Sequence, residues 1–178
     1  MAGSNGEGPP LVAVVTSTAM GAAGVALSPA GIRHATLFHR TVEAALAELS
    51  ACGARPGDDS RAPEIEKLLQ DYAAGEPVSL DEYPVDLPPC TGFQRGVWLA
   101  LREIPRGETR SYGWMARRLG HPGSARAVGA AAGANPIPLW LPCHRLVAAD
   151  GSLHGFGGGL AMKQALLELE GARPRHLV

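Results

Sequence analysis

Residues 111–134 read SYGWMARRLGHPGSARAVGAAAGA. Ser111 is placed to cap a short helix over Tyr112–Leu119, Gly120-His121-Pro122-Gly123 turns the chain, and Ser124 can cap a second helix running to about Ala134. Two short helices across a glycine-containing turn make a helix-turn-helix pattern. Upstream, Thr91–Ile104 predicts an amphipathic helix with Phe93, Val97, Trp98 and Leu101 on one side, stopped by Pro105-Arg106-Gly107. Downstream, Leu139–Leu141 and Leu146–Ala148 look strand-like, Gly151–Gly159 is a glycine-rich loop, and Leu160–Glu170 predicts a last helix. That loop has neither the G-x-G-x-x-G frame nor a Gly-Lys-Ser/Thr, so it is no dinucleotide or phosphate cradle.

Ahead of this helical half the pattern changes. Leu11–Val15, Ala23–Ser28 and Ile32–Phe38 are short runs rich in β-branched and small residues, separated by Met20-Gly21 and Pro29-Ala30-Gly31, and predict an antiparallel meander. Thr41–Ala51 and Pro63–Ala74 carry apolar residues at helical spacing. Gly75–Cys90, with four prolines and interspersed acids, marks a domain crossing. The expectation is an α+β chain in two parts, residues 11–90 and 91–178, behind a disordered leader at 1–10 that lacks the features of a secretory signal.

The charge divides at the same place. Of the 178 residues, those up to Cys90 hold 5 Arg/Lys against 12 Asp/Glu, and those from Thr91 hold 11 against 5. An acidic part is thus joined to a basic one that suits a polyanion, although the same arginines also suit a solvated surface. No apolar run approaches the length of a membrane span, and three cysteines without a Cys-x-x-Cys pair argue against a secreted disulfide scaffold. A soluble protein of the reducing cytosol, with no membrane association, is expected. None of the histidines falls into zinc spacing with the cysteines, so no metal site is indicated.

The chemistry concentrates in Pro142-Cys143-His144-Arg145. A cysteine is a strong nucleophile as thiolate, and a histidine oriented by an acid is the usual way to generate one near neutral pH. His144 directly follows Cys143, so a direct thiol–imidazole contact is awkward in extended chain, and a turn at Pro142 or a bridging water must connect them. Glu170, ending the last helix, is the acid expected to orient the imidazole. Asn135, before Pro136, can hydrogen-bond the backbone across the turn toward Cys143. An isolated cysteine would more simply be a buried small hydrophobe.

The helix from Ala125 to Ala134 contains only Ala, Gly, Val and one large residue, Arg126. Its smooth surface allows close approach of another backbone, which serves equally for packing in a core or for lying in a groove. A sequence reader of the major groove needs several long polar side chains, and this helix has one. Minor-groove binding by shape, with Arg126 filling the stack vacated by an extruded base, fits better. Tyr112 and Trp114 could stack on a base or a sugar, or sit in the core.

Taken together, Phe93-Gln94-Arg95-Gly96-Val97-Trp98, Ser111-Tyr112-Gly113, Ala125-Arg126-Ala127-Val128-Gly129, Asn135-Pro136-Ile137-Pro138, Pro142-Cys143-His144-Arg145 and Gly158-Gly159-Leu160 to Glu170-Gly171 resemble the O6-alkylguanine-DNA alkyltransferases, also called methylated-DNA-protein-cysteine methyltransferases. The resemblance implies a ribonuclease-H-like first domain and a winged helix-turn-helix second domain that binds the minor groove of double-stranded DNA with little sequence preference. It implies irreversible transfer of the alkyl group from guanine O6 to Cys143, one turnover per molecule, by a monomer without a cofactor. His144 would act as base through water and Glu170 would orient it, while Tyr112 would protonate the departing purine. Arg126, with Ala125, Ala127 and Ala132 beside it, would meet the DNA, and Asn135 would brace the turn. The carbonyls of Cys143 and Leu146 would accept from the guanine amino group, and the Gly157 N–H would reach O6. Phe156 and Gly157 replace a tyrosine and a serine or alanine of many relatives, which implies a wider pocket wall and tolerance of alkyl groups larger than methyl. A damage sensor on the same scaffold would lack the cysteine. A Cys-His-Glu hydrolase would have no use for a basic helix-turn-helix half, and a transcription regulator would need more base-reading side chains.

Overall fold

The computed structural model describes residues 10–172; the leader expected at 1–10 lies outside them but for Pro10. The meander forms as the turn residues require: β1 (Leu11–Thr18), β2 (Gly21–Ser28) and β3 (Gly31–Ala35) pair antiparallel, with Val14 opposite Val25 and Leu27 opposite Ile32. Gly31 has φ +147°, and a Cβ there would lie 2.4 Å from the Pro84 carbonyl oxygen, so glycine alone fits this turn. β3 ends three residues earlier than predicted, where Thr36 folds back so that its hydroxyl accepts from the Gly24 N–H.

α1 (Val42–Ala51) is capped by the Thr41 side chain. It leads into β4 (Ala54–Pro56), which joins β1 in parallel and completes the order β3-β2-β1-β4. This three-residue strand is invisible to pattern reading. Alternation sorts the sheet's side chains between two layers. Ala13, Ala26 and Ala54 cluster with Leu49 of α1, whereas Val14, Val25, Leu27 and Ile32 join Ile65, Leu69 and Tyr72 of α2 (Ala62–Ala73).

The proline-rich stretch after α2 is stitched to β3, with Ile32 N–H donating to Pro84 O, Asp86 N–H donating to Ile32 O, and Arg33 paired with Asp86 at 2.8 Å. α3 (Gly92–Leu101) starts with a full capping box from Thr91 and Gln94. β5 (Arg110–Ser111) runs straight into α4 (Tyr112–Arg118), whose first turn is capped by Ser111. α5 (Ala125–Gly133) packs across α3 and α4, and Trp98 Nε1–H donates to Ala131 O at 2.8 Å. The expected cap at Ser124 is absent: its backbone (φ −90°, ψ 28°) makes no side-chain cap bond.

Leu139–Leu141 is a tight turn and not a strand. Leu141 N–H bonds back to Ile137 O, the Asn135 side chain holds both Leu141 O and Ile137 N–H, and Leu139 takes φ +73°. Pro142 then leads into a 3-10 turn over Cys143–Arg145, followed by β6 (Leu146–Val147), which pairs in parallel with β5. α6 (Leu160–Leu169) closes the described chain. One core joins both halves, with Leu27, Ile32 and Leu69 in the same cluster as Trp98, Leu101, Met115, Ile137, Trp140 and Leu166.

Candidate active site around Cys143

Three elements converge on the thiol. The β5–β6 pair sets Arg110 against Leu146 and Ser111 against Val147, which brings the start of α4, and Tyr112, beside the Cys143 turn. α6 lays the stripe Lys163, Leu166, Leu167 and Glu170 (i, i+3, i+4, i+7) on its buried face. The turn held by Asn135 fixes the approach to the cysteine, and the Cys143 N–H donates to Leu141 O at 2.7 Å. Leu139, a non-glycine residue at positive φ just upstream, stores backbone strain of about 1–3 kcal/mol beside the reactive turn.

Cys143 is buried but not sealed, at 8% exposure. Burial pushes its thiol up, opposed by the Asn135 side chain, the Lys163 charge and backbone N–H groups. His144 is fully buried, and its Nε2–H donates to Glu170 Oε1 at 3.0 Å. Burial pushes the imidazole down, and the pull of Glu170 upward does not overcome it. Both reactive groups are therefore neutral at rest. With Nε2 as donor, the neutral tautomer leaves Nδ1 as the acceptor, and this buried atom has no partner among the described residues. No direct thiol–imidazole hydrogen bond forms, in keeping with the adjacency of the two residues.

Glu170 is the hub. Its Oε2 accepts from Arg145 Nε at 2.8 Å, and its Oε1 accepts from Arg145 Nη2 at 2.9 Å, His144 Nε2 at 3.0 Å and Tyr72 Oη at 2.7 Å. Burial raises the carboxyl, but the hydrogen bonds and charges of His144 and Arg145 outweigh it and hold Glu170 well below the usual carboxylate range. Arg145 is anchored in turn by Ile104 O at 2.6 Å.

Sequence reading missed Arg145, Tyr72 and Lys163 as members of the site. Lys163, fully buried, donates to Tyr112 Oη at 3.2 Å and to His154 O at 3.0 Å, and burial pushes it down to about 8. Its ammonium lies 5.6 Å from the Tyr112 ring and 6.0 Å from the Phe156 ring. Tyr112 itself is pushed up by burial and, once the thiol ionises, by the Cys143 thiolate. A lysine and a tyrosine at apolar positions of helical stripes were the signal that could have found all but Arg145.

On α5, Arg126 and Ala127 are exposed and Ala125 is half-buried, but Ala132 lies one turn beyond Val128 and is buried with it at 7% exposure. Its expected contact with a partner is corrected: Ala132 faces the core, and the open face is that of Arg126, Ala127, Ala130 and Gly133. Phe156 is half-buried and Gly157 exposed, with open space where a Cβ at Gly157 would point. Leu146 is buried behind the cysteine turn, its N–H on Cys143 O. A separate open groove of about 890 Å³, lined by Arg33, His34, Arg55 and Pro136 among others, does not include Cys143.

Comparison with known proteins gives the chain a family. The family profile described as "6-O-methylguanine DNA methyltransferase, DNA binding domain" matches residues 92–172. A methylated-DNA–protein-cysteine methyltransferase of Mycobacterium tuberculosis is 55% identical over 106 residues, 59% of this chain and 62% of that protein, so the matched stretch spans less than two thirds of its length. Its namesake from Methanosarcina acetivorans is 49% identical over 110 residues, 61% of this chain and 69% of that one. Among solved structures, Mycobacterium tuberculosis OGT in complex with DNA superposes with a TM-score of 0.75 at 38% identity, covering 89% of this chain and 92% of that one. The Mycobacterium tuberculosis O6-methylguanine methyltransferase gives 0.72 at 38% identity, with 93% and 96% covered. This mixed α+β chain belongs to the methylated-DNA–protein-cysteine methyltransferase family, the O6-alkylguanine-DNA alkyltransferases.

Proposed function

We propose that this protein repairs DNA by moving the alkyl group from guanine O6 in a duplex to Cys143, irreversibly and once per molecule. The observation that carries the reading is the buried chain His144–Glu170–Arg145 beside the thiol, with His144 Nδ1 left as an unpartnered acceptor. A bridging water between the thiol and Nδ1 completes the proton path. Because burial keeps thiol and imidazole neutral at rest, the thiolate forms within the encounter with substrate: the thiol proton passes to His144, whose charge Glu170 stabilises.

The sulfur then attacks the alkyl carbon, the carbon–sulfur bond forms as the carbon–O6 bond breaks, and the bonding pair leaves with the purine. Tyr112 gives the purine a proton, and the proton taken by His144 balances it. Lys163 places a positive charge beside both thiol and phenol, which favours the anionic form of each. The Gly157 N–H supports O6, and the Cys143 and Leu146 carbonyls hold the guanine amino group. A thioether is not cleaved under these conditions, so the protein is consumed.

The same reading gives the parts their roles. Residues 11–90 form a ribonuclease-H-like unit, with three antiparallel strands and a parallel fourth, and residues 91–172 form a winged helix-turn-helix unit. α5 enters the minor groove of double-stranded DNA, and Arg126, exposed at its start, fills the stack behind the flipped guanine. Ala127 and Ala125 allow the close approach. The protein works as a cytoplasmic monomer.

The test is intact-mass analysis after mixing with duplex oligonucleotides carrying O6-methylguanine or a bulkier O6-butylguanine. We expect each molecule to gain one alkyl group, on the peptide containing Cys143, with both lesions accepted and Cys143→Ser inert. An unmodified protein beside an unrepaired oligonucleotide would refute the transfer, and refusal of the butyl lesion alone would refute the wider wall at Phe156 and Gly157.

A further inference from the structure

We infer that Tyr72 is a positioning residue of this site, through which the first half of the chain sets the proton affinity of His144 by way of Glu170. The inference rests on the alkyl-transfer reading only for its consequence, and the geometry stands by itself. Tyr72 lies on α2, 98 residues from Glu170 in sequence, with its ring 1% exposed. Its hydroxyl makes the shortest of the three hydrogen bonds to Glu170 Oε1, at 2.7 Å against 2.9 and 3.0 Å for Arg145 and His144.

A carboxylate oxygen offers two lone pairs, so three donors compete for it. Every share of charge taken by the phenol is withdrawn from the imidazole. Arg145 already neutralises the carboxylate through two bonds, and the third donor weakens its remaining pull on His144. The result is a histidine that is oriented by Glu170 without being locked as imidazolium, and is therefore free to take a proton from the thiol. Burial and the Glu170 charge push the Tyr72 hydroxyl well up, so it is always a donor.

The phenol is itself held in place. Arg106 lies over the Tyr72 ring at 5.3 Å, and its Nη2 donates to Gly75 O just beyond α2 and to Leu169 O on α6. This clamps the two helices that carry the phenol and the carboxylate. The other charged or titratable groups around His144 and Glu170 are Lys163 on α6, Cys143 and Arg145 on the same turn, Tyr112 on α4, Arg106 beyond α3 and Asp81 beyond α2. Among these, Tyr72 is a neutral donor to the oxygen that His144 uses, so replacing it changes no net charge.

The test is nuclear magnetic resonance of the full chain with ¹⁵N-labelled histidine, without DNA, on Tyr72→Phe and on protein carrying 3-fluorotyrosine at position 72, an isosteric and more acidic phenol. In Tyr72→Phe we expect the His144 Nε2 proton to move downfield and the imidazole titration to rise by about 0.5–1 pH unit. His121 and His154 should stay where they are, and the fluorinated phenol should move both His144 signals the opposite way. Unmoved His144 signals, or movement in the reverse sense, would overturn the inference even with alkyl transfer intact. Loss of a fold in Tyr72→Phe leaves the fluorinated protein to decide, since it alters acidity without altering shape. Failure of alkyl transfer in the wild-type protein would overturn the proposed function and leave this coupling standing.

Discussion

Glu170→Gln isolates the centre of the buried network. The amide keeps the shape of the carboxylate but not its charge, and it presents an N–H₂ group to an oxygen site ringed by donors: Tyr72 Oη, His144 Nε2 and Arg145 Nη2. Arg145, its side chain 7% exposed, would be left as an uncompensated cation facing the neutral oxygens of Ile104 and the amide. Breaking a buried ion pair from one side costs about 3–5 kcal/mol, a large share of the ~5–15 kcal/mol that holds such a protein folded. For a chain of this size the loss corresponds to a fall in Tm of about 10 °C.

The sign of its pH dependence follows from the depressed carboxyl. Glu170 ionises in the folded protein well below its ordinary value, so its contribution is complete above the unfolded value of about 4.3 and drains away as pH falls through the folded one. Urea unfolding followed by tryptophan fluorescence should therefore show a wild-type advantage that is constant from about pH 7 to pH 5 and shrinks below about pH 4. A difference under about 1 kcal/mol at neutral pH, or one that widens on acidification, would refute the assignment of Glu170 as an ionised hub.

Asn135→Ala removes a hydrogen bond that lowers the thiol together with the brace on Leu141 O, so the pH profile of Cys143 alkylation by iodoacetamide should move to higher pH; an unmoved profile would contradict it. Lys163 is pushed by burial to about 8, below its unfolded value, so its charge opposes folding at all lower pH and the penalty fades as pH rises toward about 10.4. Lys163→Met should accordingly gain about 2 kcal/mol in urea unfolding at pH 7 and little at pH 10, while alkyl transfer falls by about tenfold or more; a variant less stable at pH 7 would count against this. Arg126→Ala touches an exposed side chain and should leave stability within about 0.5 kcal/mol. Single-turnover kinetics should show its transfer from duplex DNA reduced while transfer from free O6-methylguanine base is kept, and equal loss on both would remove Arg126 from the flipping step.

What was legible in the sequence is what local chemistry dictates. Glycine and proline turns announced the meander, Thr91 and Ser111 announced two helix starts, and the expected pairing of Glu170 with the histidine beside Cys143 is found in the structure. What was hidden depends on contacts between distant segments. β4 and β5 are two or three residues long and exist because a remote strand completes them, β1 for the one and the expected strand at Leu146 for the other. Leu139–Leu141 has the composition of a strand, but the Asn135 side chain satisfies its backbone as a turn. Tyr72 shares the apolar stripe of its helix, but its partner Glu170 lies 98 residues away, and Arg145 and Lys163 are charged groups buried because the fold supplies their partners. The smooth helix packs Val128, Ala131 and Ala132 inward and leaves Arg126 exposed.

The proline-rich stretch between the halves is tied down along its length: Pro84 and Asp86 bond to Ile32, Ser28 bonds to Asp86, and the Tyr83 carbonyl takes a bond from Arg102 on the far side. A connection fastened in this way transmits force instead of absorbing it. The acidic and basic halves cannot swing against each other as beads on a string, and heating should melt them in one cooperative step, with a protease finding no early cut between them.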